Sequence, residues 1–125
     1  MPEPANSSTT ADRLCSKQCV PCEGGVPKLD RDSAQAYLQA TPHWCLSEDT
    51  QRISRAINRK NFVQVIELVN RIADLAEQEQ HHPDLHVTGY RNLAIDLTTH
   101  AISGLSENDF ILAAKIDRLI DEEAP

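Results

Sequence analysis

The chain has 125 residues, 40% of them hydrophobic and 25% charged, the balance of a single globular domain able to bury its own core. Twelve Lys and Arg against nineteen Asp and Glu leave a formal charge of −7, which argues against binding a phosphate backbone, so no direct nucleic-acid partner is expected. The apolar runs are too short for a membrane span, and residues 1–10 hold no apolar signal region, so a cytoplasmic location is expected. The four cysteines (Cys15, Cys19, Cys22 and Cys45) then belong in a reducing compartment, where a disulfide framework is a poor default.

Residues 1–14 are rich in Pro, Ser, Thr and Asn and are expected to form a disordered tail before one domain spanning 15–125. Residues 15–28 carry three cysteines punctuated by Gly and Pro. Asp30 is placed to cap a short helix containing Ala34, Tyr37 and Leu38, which Pro42 stops. Trp44–Ser47 and Arg52–Asn58 read as strands separated by an Asp49 turn. Phe62, Val65, Ile66, Val69, Ile72, Ala73 and Ala76 recur at helical spacing, with Asn61 as cap and Gln64 as its capping-box partner. Pro83 requires this helix to end near Gln80. Leu85–Tyr90 and Asn92–Thr99 read as two more strands, the second alternating Leu93, Ile95 and Leu97 with Ala94, Asp96 and Thr98. Ser106 followed by Asp109 is a cap signature for a last helix over Glu107–Asp121.

The order is helix-strand-strand-helix-strand-strand-helix. Short connections make neighbouring strands antiparallel, and the helices need an apolar sheet face to cover. The expectation is an α+β domain with a four-stranded antiparallel sheet and helices packed on one face.

Five histidines occur, and three draw attention. His81 and His82 sit at the junction of the long helix and the third strand, and His100 lies just past the fourth. A hairpin can bring these places to one rim, where imidazoles would exchange protons near neutral pH. Zinc would accept three histidines, but neighbours in sequence rarely point at one ion. Structural histidines without chemistry are the third reading. Cys15, Cys19 and Cys22 form C-x-x-x-C-x-x-C, which suits half a zinc site, a reversible disulfide or no chemistry at all.

A resemblance weighs on these alternatives. Glu77, His81, His82 and Pro83, then six residues to Tyr90, nine to His100 and eight to Asp109, resemble the signature of the pterin-4a-carbinolamine dehydratase family. Trp44, the run Thr98-Thr99-His100 and Gly104-Leu105-Ser106 are similar to it as well, and the similarity spans about residues 19–120. The resemblance implies a hydro-lyase that dehydrates 4a-hydroxytetrahydropterin to quinonoid dihydropterin and water, in tetrahydrobiopterin recycling. It implies His81, His82 and His100 as catalytic residues and Glu77, Pro83, Thr98, Thr99 and Asp109 as substrate-binding ones, with no metal or cofactor. It also implies a homodimer or homotetramer built through the sheet. Asp109 is placed to cap the last helix, to orient a histidine, or both. The chain differs from many animal members at Gln80, Leu85 and Asn108. Because some relatives resemble Rubisco assembly factors or a transcription factor's dimerisation cofactor, the alternative is a binding protein with a protein client such as Rubisco. A client hydroxylase of aromatic amino acids would fit the enzyme.

Overall fold

The computed structural model describes residues 7–20 and 27–123. The elements are α1 (Ser7–Ser16), α2 (Arg31–Leu38), β1 (Cys45–Leu46), β2 (Ile53–Asn58), α3 (Phe62–Glu79), β3 (Asp84–Thr88), β4 (Asn92–Leu97), a 3-10 turn at His100–Ile102, and α4 (Glu107–Glu123). From α2 onward the order is the one read from the sequence. The departure lies at the N-terminus, where part of the expected tail is α1, while residues 1–6 lie outside the described residues. Leu14 explains the difference: it is only 2% exposed and joins the central apolar cluster, and an Arg118–Asp12 ion pair fastens the helix alongside α4.

The helices begin where their caps dictate. Asp30 accepts the Ser33 N–H at 2.8 Å ahead of α2, and Asn61 accepts the Gln64 N–H at 2.9 Å ahead of α3. The Gln64 side chain does reach back, but to the Lys60 N–H at 3.2 Å rather than to that of Asn61. On α3 the stripe Val65, Leu68, Ile72 and Ala76 is buried. Burying each of the three larger side chains contributes about 1.5–3 kcal/mol.

The four strands form one antiparallel sheet in the order β1-β2-β4-β3. The register pairs Ile53 with Leu97, Arg55 with Ile95 and Ile57 with Leu93 across β2 and β4. Leu85 and Val87 of β3 extend the same row. This face meets Phe110, Leu112, Ile116 and the rest of the core. The one cation in the row, Arg55, is accommodated by Asp117 of α4 at 2.5 Å. Asp117 also accepts the Trp44 indole N–H at 2.8 Å. Burial pushes the Asp117 carboxyl above its ordinary value, against the opposing pull of Trp44 and Arg55. The opposite face carries Ser54, Ala56, Ala94 and Asp96, each at least partly exposed.

Candidate active site

The site is built where α3 ends and β3 begins. Gln80 adopts the left-handed conformation (φ 55°, ψ 38°). Its N–H bonds to Glu77 O at 3.4 Å, and the His81 N–H bonds to Ala76 O at 3.2 Å. This is a Schellman closure, which folds the chain back on the last helical turn. It delivers His81 inward, where it is 6% exposed, while Pro83 directs the chain into the sheet.

Inside, His81 Nε2–H donates to Asp109 Oδ1 at 2.7 Å. Because a carboxylate only accepts, this contact places the proton of the neutral ring on Nε2. The other oxygen, Oδ2, accepts the Thr99 hydroxyl at 2.8 Å and the Ser106 N–H at 3.0 Å. The Thr99 and Ser106 hydroxyls are themselves 2.8 Å apart. Asp109 therefore caps α4 with one oxygen and orients a histidine with the other. All four residues are buried. Such a network is rigid when every member is bonded.

Outside, His82 Nε2–H donates to Glu77 Oε2 at 2.6 Å. The two side chains are 57% and 72% exposed, so the contact adds little stability but leaves the imidazole accessible. Glu77 thus serves His82, the outward member of the adjacent pair. His100 opens the 3-10 turn and is exposed. Its loop is closed by Thr99 N–H to Gly104 O at 2.8 Å and by Ser103 in the left-handed region. Thr99 and His81 meet the same carboxylate, and His100 follows Thr99 directly in the chain.

The threonines stand behind this rim. Thr99 is fully buried with its hydroxyl committed to Asp109 and Ser106, so it supports the site and does not face a ligand. Thr98 donates to Gln51 O at 2.5 Å, with Gly104 O at 3.3 Å. Pro83 is half-buried at the rim. Tyr90, part of the signature, lies at the far end of the β3–β4 hairpin, 61% exposed and at φ 57°, so the fold separates it from the histidines. Sequence reading passed over Ser106 as a partner of Thr99. The only signal for it was its capping position.

Cys15 and Cys19 pack half-buried against the core and Cys45 is exposed, while Cys22 lies outside the described residues. Burial pushes the Cys15 thiol up, with Arg118 pulling the other way. Among the described residues no three His, Cys, Asp or Glu side chains group as ligands for a metal. A cavity of about 570 Å³ beside α1 and α4, lined by Cys15, His43 and Asp117 among others, shares no residue with the histidine rim. No described helix is long and apolar enough to cross a membrane.

A four-stranded antiparallel sheet backed by helices, with two carboxylate-held imidazoles where α3 passes into β3, defines an α+β protein with histidines and carboxylates paired at one end of its sheet. The chain belongs to the pterin 4 alpha carbinolamine dehydratase family, whose model matches residues 27–119. A protein of Halorhodospira halophila, provisionally named pterin-4-alpha-carbinolamine dehydratase, is 46% identical over 106 residues, covering 85% of this chain and 96% of the relative. Pterin-4-alpha-carbinolamine dehydratase 2 of Arabidopsis thaliana, designated mitochondrial, is 45% identical over 113 residues, covering 88% of this chain and 60% of its own length. A crystal structure from Brucella melitensis, described as a transcriptional coactivator/pterin dehydratase, superposes with a TM-score of 0.69 at 25% identity, covering 74% of this chain and 98% of that one.

Proposed function

We propose that the protein dehydrates a 4a-hydroxytetrahydropterin to quinonoid dihydropterin and water, as a hydro-lyase of tetrahydropterin recycling in the cytoplasm. One observation carries the reading: adjacent histidines, each held by a carboxylate, one buried on Asp109 and one accessible on Glu77. Two protons move in the reaction. One goes to the 4a hydroxyl, which leaves as water, and one comes off the adjacent ring nitrogen as the double bond forms. Imidazoles suit both transfers near neutral pH. His82 and His100 are the accessible members that meet the substrate, and His81 is the oriented one. Glu77 and Pro83 border the bound pterin, while Thr98, Thr99 and Asp109 hold the frame.

Stopped-flow ultraviolet absorbance of 4a-hydroxytetrahydropterin dehydration tests this. Wild type accelerates the reaction over buffer, and folded His82→Ala loses about 100-fold or more of kcat. Folded wild type that gives no acceleration overturns the reading. The Brucella structure's description as a coactivator favours a second reading, in which the same fold serves a protein client. That reading gains if wild type is inactive yet retains a partner. In both readings we propose a homodimer or homotetramer assembled through the sheet, measurable by sedimentation velocity.

A further inference from the structure

The N-terminal segment outside the family match is fastened to the neighbours of the His81–Asp109 pair. The Cys19 N–H donates to Glu79 Oε1 at 2.9 Å, and Glu79 stands two residues before His81 at the end of α3. The Val20 N–H donates to Asn108 Oδ1 at 3.0 Å, and Asn108 Nδ2 donates back to Val20 O at 2.9 Å. The Cys19 thiol lies 3.6 Å from the carbonyl of the same asparagine, which immediately precedes Asp109. Lys17 pairs with Glu107 at 2.7 Å, one residue earlier still. Glu79 in turn binds Lys115 of α4 at 2.7 Å, with side-chain exposures of only 8% and 16%. Three residues of the stretch 17–20, Lys17, Cys19 and Val20, therefore grip both α3 at its C-terminus and α4 at its first turn.

That placement bears on the chemistry. His81 follows the end of α3 and Asp109 lies in the first turn of α4, and a hydrogen bond of 2.7 Å joins them. Hydrogen bonds weaken steeply with angle, and small displacements of a catalytic group reduce rate strongly. Asn108 is 2% exposed and bonds the strap through both ends of its amide.

We propose that residues 17–20 form a strap that fixes the α3–α4 spacing through Glu79 and Asn108, and thereby holds His81 and Asp109 in hydrogen-bonding register. Glu79 and Asn108 are positioning residues. The inference rests on the dehydratase reading for its effect on rate, but its geometry can be measured without turnover.

The test compares full-length wild type, Asn108→Ala and Val20→Pro. Val20→Pro removes one of the strap's two backbone donors, the one to Asn108, and substitutes no residue of α3, α4 or the site, so it carries the test if Asn108→Ala does not fold. Two readouts are taken: stopped-flow kcat and KM, and the imidazole 15N shifts of His81, which report its tautomer and its bond to Asp109. The expected result is a fall in kcat of about 5- to 10-fold with KM within about twofold, and a displaced His81 Nε2 resonance. A strap that only stabilises the fold would leave both readouts of folded Val20→Pro at wild-type values, and that result overturns the proposal. If wild type itself shows no dehydration, the functional reading fails while the His81 resonance still decides the strap.

Discussion

Asp109 serves two elements at once, and that sets what its replacement should do. In Asp109→Asn, the Ser106 N–H and the Thr99 hydroxyl both need an acceptor, so the amide oxygen stays on their side. The amide NH2 then faces His81 Nε2 and donates to it, which moves the ring proton to Nδ1. A folded protein with the wrong histidine tautomer is expected, with kcat lower by about 100-fold or more, read by stopped-flow kinetics. Asp109→Ala goes further, because it strands a buried imidazole and removes the α4 cap. Its expected cost is about 3–5 kcal/mol in chemical denaturation. The cap and the histidine partner were both legible in the sequence as roles for Asp109. The burial of Thr99 was not, because a Thr-Thr-His run past a strand end looks the same whether its hydroxyls face a ligand or a neighbouring helix.

At the scale of elements, α3 was legible almost to the residue because its apolar stripe and its Asn61 cap point the same way. Its end is less usual. Gln80 occupies a left-handed position that glycine fills more easily, and a β-branched residue there would be strained. Gln80→Val is expected to lower stability by about 1–2 kcal/mol and Gln80→Gly to be near neutral, measured by thermal unfolding. α1 was not legible, since one large apolar residue in a Ser- and Thr-rich run gives no periodicity. Leu14→Ala tests whether that residue docks the helix. The expected cost is about 2 kcal/mol, at the low end for a buried leucine because a terminal helix can relax around the gap.

Across the whole molecule, Glu107 ties three parts of the chain together. It accepts from Lys17 at 2.7 Å and from the Tyr37 hydroxyl at 2.8 Å, while the Tyr37 ring stacks on Phe110. The Lys17 bond, helped by Tyr37 and opposed by burial, holds the Glu107 carboxyl below its ordinary 4.5. Burial, with the bond to Glu107, pushes the Tyr37 hydroxyl from 10.0 up to about 12. The signs follow by linkage. The lowered Glu107 contributes stability that is present above about pH 4.5 and lost as pH falls through its folded value. Glu79 acts in the same direction: burial raises it, but Lys115 and the Cys19 N–H outweigh that and leave it lowered. The raised Tyr37 contributes stability that is complete below pH 10 and lost as pH rises toward about 12. Melting temperature against pH should therefore drop on both flanks, and Glu107→Gln should make both shallower, leaving what Glu79 contributes on the acid side and the burial of Tyr37 on the basic side. A Glu107→Gln profile that keeps the wild-type slopes would remove Glu107 from this role.

The strands, the long helix, the final cap and the histidine signature all follow from local regularities: period two, period 3.6, capping side chains and a proline that ends a helix. Those features are written in neighbouring residues, so the chain order alone carries them. Which of two adjacent histidines turns inward is different in kind. His81 and His82 have the same side chain and the same local context. They diverge because the left-handed turn at Gln80 aims the first at Asp109, 28 residues away, and leaves the second on Glu77 in solvent. The grip of Cys19 and Val20 on Glu79 and Asn108 is likewise a contact across 60 and 88 residues of chain, and pairings at such separations arise only when helices pack.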